Sequence, residues 1–197
     1  CVARRGSLRF AQSVKVGAVR MTDAYLPAGE VTEAGVRRLR SKIRSVISPV
    51  MHDLKKFTFD QVVVSSGTAE TVTRMALLRG GRDMAVSLNG HRFSGAELSS
   101  IVRSLVEHPL PAGRSAIPGL DAKRADIIVA GSMILEEIGK ALGIDAYQYS
   151  DFALREGVLV ETAQRRGILE AEPEDPARSS ALRLAERCSV DIDHAVH

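Results

Sequence analysis

A chain of 197 residues is long enough to bury one α/β core, alone or with a short appended element. Hydrophobic residues make up 45% of it and charged residues 26%, as in ordinary folded proteins, and no apolar run approaches the ~20 residues that cross a bilayer as a helix. The 27 basic and 24 acidic residues give a net charge of +3 and are mixed along the chain. This mixture argues against a nucleic-acid-binding protein and leaves only a mild preference for anions. The lack of a long apolar run argues against a membrane-spanning protein.

The cysteines and histidines predict a reducing environment and no metal site within this chain. Cys1 and Cys188 lie at opposite ends, outside any metal-ligand or redox spacing, and no secretory hydrophobic segment precedes the fold. The five histidines likewise lack partners at ligand spacing. We therefore expect a cytoplasmic protein. Because the chain opens on Cys1 and runs directly into strand-like residues, we also expect it to be a piece of a longer protein.

The first predicted elements are a hairpin and a long helix. Residues 2–21 alternate apolar and polar side chains on either side of Arg5-Gly6, which predicts two antiparallel strands. Thr32 can cap a helix whose apolar residues recur at every third or fourth position from Val36 to Leu54.

A strand, a tight turn and a helix follow in direct succession. The valine-rich run 59–64 predicts a strand buried on both faces. Ser65-Ser66-Gly67-Thr68 then forms the turn, and a helix is predicted over Thr68–Arg79. Further along, Ser94 and Glu97 have the spacing of a capping box at the start of another helix.

The last third of the chain repeats the alternation of helix and strand. Asp121 can cap a helix that runs to Leu142 and stops at Gly143. Residues 144–149 read as a strand, and Ser150-Asp151 can cap a helix toward Arg165. Strands alternating with helices predict an α/β protein with a mixed sheet flanked by helices.

The predicted organisation is one domain followed by a linker and an incomplete helix. We assign residues 1–166 to the domain, and the acidic, proline-bearing stretch 167–178 to the linker, because it carries too little apolar content to fold alone. Residues 179–197 regain helical spacing.

The turn Ser65–Thr68 is the first candidate site, with Ser65, Ser66, Gly67 and Thr68 as phosphate-binding residues. Ligands of α/β sheets bind beyond the carboxyl ends of strands, where helix N-termini favour anions. Gly67 lets the backbone approach a ligand, and the hydroxyl groups around it can bond phosphate or ribose oxygens. The alternative is that these residues serve only as helix caps.

Two arginines flank the stiff turn 117–120, and both could hold a phosphate. Arg114 is the expected ligand. Arg124 falls in the first turn of the predicted helix, where the helix dipole disfavours a cation, so it needs a carboxylate or phosphate partner and is expected to support the cleft. The alternative is a salt bridge from either arginine to Asp121, Asp126 or Asp151.

The remaining candidates are weaker. Arg20, predicted at the end of a strand, suits an anion contact, although a surface arginine would look the same. Asp151, Arg155 and Glu156 are expected to pin a helix to the sheet rather than to react. The sequence contains no complete set of catalytic residues and no glycine-rich phosphate motif of the common types.

Six short segments occur in an order that is more specific than any one of them. Together they resemble the exopolyphosphatase/guanosine pentaphosphate phosphohydrolase family over about residues 7–165. The segments are Val16-Gly17-Ala18-Val19-Arg20, Ser66-Gly67-Thr68, Leu88-Asn89-Gly90, Ile117-Pro118-Gly119-Leu120, Arg124-Ala125-Asp126-Ile127-Ile128, and Ser150-Asp151 with Leu154-Arg155-Glu156-Gly157.

The resemblance implies a ribonuclease-H-like, actin-like fold of two lobes, of which this chain looks like the second. It implies magnesium-assisted attack of water on a terminal phosphate of inorganic polyphosphate or guanosine pentaphosphate. The family's two phosphate loops and its general-base glutamate would precede Val2, and the magnesium would be bound mainly by that missing lobe. The resemblance therefore predicts no catalytic residue here and an inactive fragment.

Three other functions remain open. The chain could be an actin-like kinase lobe in which Ser65–Thr68 contacts a nucleotide. It could be a module that binds polyphosphate or an alarmone without hydrolysis. The apolar stripe from Val36 to Leu54 would also allow a structural lobe that forms a homodimer, unless that stripe faces its own sheet.

Overall fold

A computed structural model describes residues 1–5, 7–81 and 87–169 of the chain. Backbone contacts divide the described residues into two compact units: residues 14–153 form the larger one, and residues 1–13 with residues 154–169 form the smaller one. The predicted domain over residues 1–166 contributes to both units. The predicted linker is described only as far as Leu169, and the predicted helix over 179–197 lies outside the described residues.

The described elements are five strands, seven α-helices and two short 3-10 turns. The strands are β1 (Val2–Arg4), β2 (Ser7–Phe10), β3 (Val63–Ser65), β4 (Arg92–Ser94) and β5 (Ala146–Ser150). The helices are α1 (Ala18–Tyr25), α2 (Glu33–Leu54), α3 (Ser66–Arg79), α4 (Gly95–Val106), α5 (Pro111–Arg114), α6 (Ile128–Leu142) and α7 (Leu154–Arg165). The 3-10 turns are Pro27–Gly29 and Ala122–Arg124.

The smaller unit contains the hairpin β1–β2 and helix α7. The two strands are antiparallel, with Ala3 opposite Leu8. The predicted hairpin is therefore confirmed over its first half and wrong beyond it, because α1 begins at Ala18. The buried side chains there are Met21, Thr22 and Leu26, and the four-residue step from Thr22 to Leu26 is helical, so burial outweighs the short alternation that suggested a strand.

The larger unit is built on a three-stranded mixed sheet in the order β3-β5-β4. β3 and β5 are parallel, with Ser65 beside Ser150, and β4 is antiparallel to β5, with Arg92 beside Gln148. β4 was not predicted. The strand predicted over 59–64 is shorter than expected, and Val63 is 57% exposed. The exposure of Val63 shows that β3 is not buried on both faces.

The core lies between the sheet and the helices, with α6 packed against α1, α2 and α4. The helix predicted from Thr32 is confirmed as α2: the Thr32 hydroxyl accepts a hydrogen bond from Gly35 N at 3.1 Å. Its apolar stripe is buried at Leu39, Ile43 and Ile47 and faces the chain's own core. This burial removes the surface on which a homodimer had been considered.

Two further helix boundaries follow the sequence signals. At the start of α4, Ser94 Oγ accepts from Glu97 N at 3.1 Å and Glu97 Oε2 accepts from Ser94 N at 2.7 Å, which completes the predicted capping box. α6 ends at Gly143, whose φ of 67° is the left-handed conformation that favours glycine. Its start differs from the prediction, because Asp121 caps only the 3-10 turn Ala122–Arg124 and the α-helix begins at Ile128.

A charged network that the sequence analysis did not identify joins α6 to α2. Glu136 and Glu137 are 4% and 3% exposed. Arg40 donates to both carboxylates, Arg44 Nε lies 2.5 Å from Glu137 Oε2, and Lys140 Nζ lies 2.7 Å from Glu136 Oε1. Burial opposes their ionisation, but the hydrogen bonds from these cations lower the pKa of both carboxyl groups below the usual range.

Within the described residues, no helix is long and apolar enough to cross a membrane.

Candidate functional site at the carboxyl edge of the sheet

The carboxyl ends of β3 and β5 lie side by side and bring two predicted segments together. Ser65 and Ser150 are register partners at this edge. The chain turns from β3 directly into α3, and Asp151 follows β5. Asn89, just before the antiparallel strand β4, reaches the same edge, where its Oδ1 accepts a hydrogen bond from Asp151 N at 3.1 Å. We refer to this region as the carboxyl edge.

The turn at Ser65–Thr68 has an unusual backbone. Ser66 has a φ of +74°, which a residue with a side chain rarely adopts. Ser65 precedes α3 but its side chain does not cap the helix. Within the described residues neither serine hydroxyl has a hydrogen-bond partner, and the first amides of α3 end at the same turn. The turn is therefore more than a helix cap: its donors remain available to a ligand.

Arg124 lies directly against this turn. Its guanidinium is so close to Gly67 that a Cβ on residue 67 would overlap it. Gly67 is therefore required for a close approach rather than for conformational freedom. Arg124 is half-buried, and in the part of the chain that the structure describes its guanidinium has no carboxylate partner. It lies in a 3-10 turn before α6 rather than in the first turn of that helix, but its guanidinium contacts the first turn of α3, so the conflict with a helix dipole remains and an anionic partner would relieve it.

The N-terminal turns of three helices meet beside Arg124. Gly131, the fourth residue of α6, leaves room for the Thr68 side chain: a Cβ on Gly131 would lie 2.6 Å from Thr68 Oγ1 and 3.2 Å from Ala18 Cβ. Thr68 is in the first turn of α3, and Ala18 is the first residue of α1. Because a helix N-terminus carries partial positive charge, this convergence makes the corner favourable for an anion.

The opposite side of the carboxyl edge is held by a tyrosine and a carboxylate. Tyr149 is 5% exposed. Burial and a side-chain hydrogen bond to Asp151 raise the pKa of Tyr149 to about 12, so its phenol stays protonated and keeps the Asp151 carboxylate in place. The predicted supporting role of Asp151 therefore has a partner in Tyr149 and another in Asn89.

Arg114 is not placed at this edge, and its predicted role as a phosphate ligand needs correction. Its side chain is fully buried, with 0% exposure. The guanidinium donates to backbone carbonyls of Ala125 at 2.7 Å and His108 at 2.6 Å, and also to those of Pro109 and Gly29. All of its nitrogen atoms are engaged, so Arg114 cross-links the loop segments around it. The alternative prediction was a salt bridge from Arg114 to an aspartate. Its structural role is right, but the partners are backbone carbonyls rather than carboxylates.

The structure shows where Arg20, Arg155 and Glu156 lie but does not test their predicted roles. Arg20 lies in the first turn of α1, not at a strand end, and is exposed. Its anion contact stays a prediction. Arg155 and Glu156 lie in the first turn of α7, which belongs to the smaller unit. Their predicted function of pinning a helix to the sheet also stays a prediction.

Comparison with known proteins now decides the family. A family model described as the Ppx/GppA phosphatase family matches residues 2–166. The chain belongs to this family. The resemblance inferred from the sequence segments is thereby confirmed.

Curated relatives within the Ppx/GppA family carry two names. Exopolyphosphatase 1 of Mycobacterium tuberculosis is 28% identical over 155 residues, which cover 77% of this chain and 43% of the relative. A guanosine-5'-triphosphate,3'-diphosphate pyrophosphatase of Aeromonas hydrophila is 22% identical over 200 residues, which cover 98% of this chain and 36% of the relative. The chain thus spans less than half the length of these relatives.

Solved Ppx/GppA structures share the fold. A family member from Aquifex aeolicus superposes with a TM-score of 0.66 at 23% identity, covering 82% of this chain and 51% of that one. An exopolyphosphatase from Cytophaga hutchinsonii gives a TM-score of 0.65 at 23% identity, covering 77% and 48%. These neighbours belong to the actin-like ATPase fold, and the predicted fold class is confirmed.

Within this Ppx/GppA framework, sequence reasoning missed Gly131 and Tyr149 as parts of the edge. Gly131 looked like an ordinary small residue in an apolar helix, and Tyr149 like a core position of a strand. Asn89 could have been found, since the segment Leu88-Asn89-Gly90 contributed to the resemblance. Among the described residues no group of three or more His, Cys, Asp or Glu side chains could hold a metal ion.

Proposed function

We propose that the carboxyl edge forms one wall of a phosphate-binding cleft in a phosphohydrolase. The observation that carries the proposal is the Arg124 guanidinium, which lies on Gly67 without a carboxylate partner among the described residues. A half-buried guanidinium without a carboxylate partner can take a phosphate oxygen as its acceptor. The positive N-terminal turns of α1, α3 and α6 add to the attraction at the same point.

The substrate is inorganic polyphosphate or guanosine pentaphosphate, from which the complete protein releases the terminal phosphate. Two named relatives, an exopolyphosphatase and a guanosine-5'-triphosphate,3'-diphosphate pyrophosphatase, support these two substrates. Both are chains of phosphates, and an arginine fork matches adjacent phosphate oxygens. Arg124, the Ser66 and Thr68 hydroxyls and the first amides of α3 would bind such oxygens.

In this proposal the chain positions substrate and does not supply the nucleophile or its base. The Asp151 carboxylate, at the same edge, is paired with the Tyr149 phenol, and the Asp151 backbone N–H donates to Asn89 Oδ1. Magnesium, when bound, would neutralise the phosphate oxygens that carry charge in the transition state. The general base and most magnesium ligands would come from residues outside this chain, so the 197-residue chain alone should bind phosphate chains without hydrolysing them.

The test compares the isolated chain with a protein extended to the length of the relatives. Each is assayed for phosphate release from polyphosphate and from guanosine pentaphosphate, with and without magnesium. We expect release only from the extended protein with magnesium. No release from either substrate by the extended protein would refute the enzyme. Binding of polyphosphate without release would then favour the non-catalytic module.

A further inference from the structure

An open crevice lies on the larger unit between α2, α4 and α6, away from the carboxyl edge. It has a volume of about 470 Å³. A second crevice of about 390 Å³ shares Ser99, Glu136 and Lys140 with it and extends to Asp145, beside the amino end of β5. The candidate phosphate site is at the opposite, carboxyl end of that strand. The combined space is within the usual range for small-molecule sites.

The wall of this α2–α4–α6 crevice carries more positive than negative charge. The buried carboxylate in it, Glu136, is already engaged by Arg40 and by Lys140. Arg40 is only 25% exposed and also serves Glu137, which has Arg44 as a further partner. Of the residues that line the crevice, Arg40 and Lys140 thus lie beside Glu136, and Asp145 adds a second carboxylate where the crevice extends toward β5.

Arg103 adds a third cation, which makes the net charge of the lining positive. It lines the crevice from α4, is exposed, and has no carboxylate partner in the part of the chain that the structure describes. The network fixes Arg40 and Lys140 in place, so the cost of ordering two long side chains is already met before a ligand arrives. The crevice therefore presents preorganised positive charge that the protein does not neutralise.

The floor between these cations is apolar. Val36, Val102 and Val106 line it, two from α4 and one from α2. A free inorganic ion would leave this floor uncovered. A ligand that combines an anionic group with a short apolar part would cover the valines and meet the cations at once.

From this arrangement we infer a second ligand site, at the α2–α4–α6 crevice, for a small molecule that carries a phosphate or carboxylate dianion. The dianion would lie between Arg103, Lys140 and the outer side of Arg40. The inference does not depend on the proposed phosphohydrolase function, since the crevice shares no residue with the carboxyl edge.

The test is a titration of the 197-residue chain with propyl phosphate, which joins a phosphate dianion to a short apolar chain, followed by amide NMR. A parallel titration with succinate distinguishes a phosphate from a carboxylate ligand, and sodium chloride at matched ionic strength controls for screening. The amides of Ser99 and Lys140 report on the crevice, whereas those of Gly67 and Thr68 report on the carboxyl edge. Separate reporters keep the two proposals distinguishable.

The deciding variant is Arg103→Gln, because Arg103 supports no other described side chain and its loss should not disturb folding. We expect saturable shifts at the crevice amides and a dissociation constant about fivefold weaker in Arg103→Gln. The matched control is Arg38→Gln, an exposed α2 arginine outside the crevice, which should change it less than about twofold.

Three results would overturn the inference. The first is that neither dianion shifts the crevice amides beyond the sodium chloride control. Arg38→Gln could weaken binding as much as Arg103→Gln, which would indicate diffuse attraction. Shifts confined to Gly67 and Thr68, and lost in Arg124→Gln, would place all binding at the carboxyl edge and support the proposed function alone.

Discussion

Arg114 and Arg124 lie ten residues apart on either side of one turn, yet the fold uses them in opposite ways. Arg114 is fully buried, and backbone carbonyls of four residues occupy its guanidinium. Arg124 is half-buried, lies on Gly67, and has no carboxylate partner among the described residues. Being an arginine therefore predicts an anion ligand poorly. Whether the hydrogen-bond donors of that arginine are already occupied predicts it well.

The largest expected effect comes from removing the engaged arginine. Arg114→Met should destabilise the fold by about 3–5 kcal/mol, because several buried carbonyls lose their donor at once. Urea denaturation followed by circular dichroism measures this, with the exposed Arg38→Met as control. A loss below about 1 kcal/mol would show that water or another donor replaces the guanidinium, and the contrast with Arg124 would fail.

Loss of Arg124 should have the reverse effect and lower activity rather than stability. In the protein extended to the length of its relatives, Arg124→Gln should lower kcat/KM for phosphate release about 100-fold, as the loss of one charged donor does at other phosphate and oxyanion sites. The unfolding midpoint should barely change. If stability fell as much as in Arg114→Met while phosphate release persisted, Arg124 would be structural and the proposed cleft wall would be wrong.

The buried carboxylates offer a third kind of charge, fully paired and far from the edge. Glu137→Gln should cost about 2 kcal/mol at neutral pH, because Arg40 and Arg44 lose a charged partner. The pKa of Glu137 is lowered in the folded state. Its contribution to stability is therefore present above the usual glutamate pKa of about 4.3 and lost as the pH falls through the folded value.

A pH series of urea unfolding curves checks that sign. The difference in unfolding free energy between wild type and Glu137→Gln should be constant near neutrality and shrink in acid. A difference that grew as the pH fell would contradict the lowered pKa. Glu33→Gln, whose carboxylate pairs with Arg37 on the surface, should give almost no difference at any pH.

Gly67 tests whether the position of Arg124 matters as well as its charge. The added Cβ of Gly67→Ala would overlap the guanidinium and displace it. Since the far end of an arginine moves easily, stability should fall little, whereas kcat/KM in the extended protein should drop about tenfold. Gly80→Ala is the matched control, because the nearest atoms to its Cβ lie at ordinary distances. Equal kinetics in both variants would mean that the close approach has no role.

The smallest effect concerns an unpartnered group that is buried rather than near a ligand. Thr22 is 4% exposed, and among the described residues its Oγ1 has no hydrogen-bond partner. Thr22→Val should stabilise the fold by about 1 kcal/mol, since it removes a buried polar atom at constant shape. The control is Thr73→Val, because the Thr73 hydroxyl donates to Ala69 O at 2.7 Å and its loss should destabilise. Calorimetry that showed both variants equally destabilised would indicate that Thr22 has a partner in solution.

Much of the fold was readable in advance where local signals and burial agree. The Thr32 cap, the capping box at Ser94 and the left-handed Gly143 depend on interactions within a few residues, so the sequence states them directly. α1 was misread because its burial comes from packing against α6, which no local pattern near Ala18 records. The exposure of Val63 was missed for the same reason, since an edge strand has the composition of a central one.

The candidate site likewise has one part that follows from the order of residues and another that follows from long-range packing. The sequence by itself determined the family, the α/β fold class and the turn Ser65–Thr68, because these depend on residue types in a fixed order. The tertiary structure was needed to show which arginine has occupied donors, since Arg114 donates to carbonyls as far away in sequence as that of Gly29. It also decided that Gly131 admits Thr68 beside α1. Donor satisfaction is a property of long-range packing, and a one-dimensional pattern does not contain it.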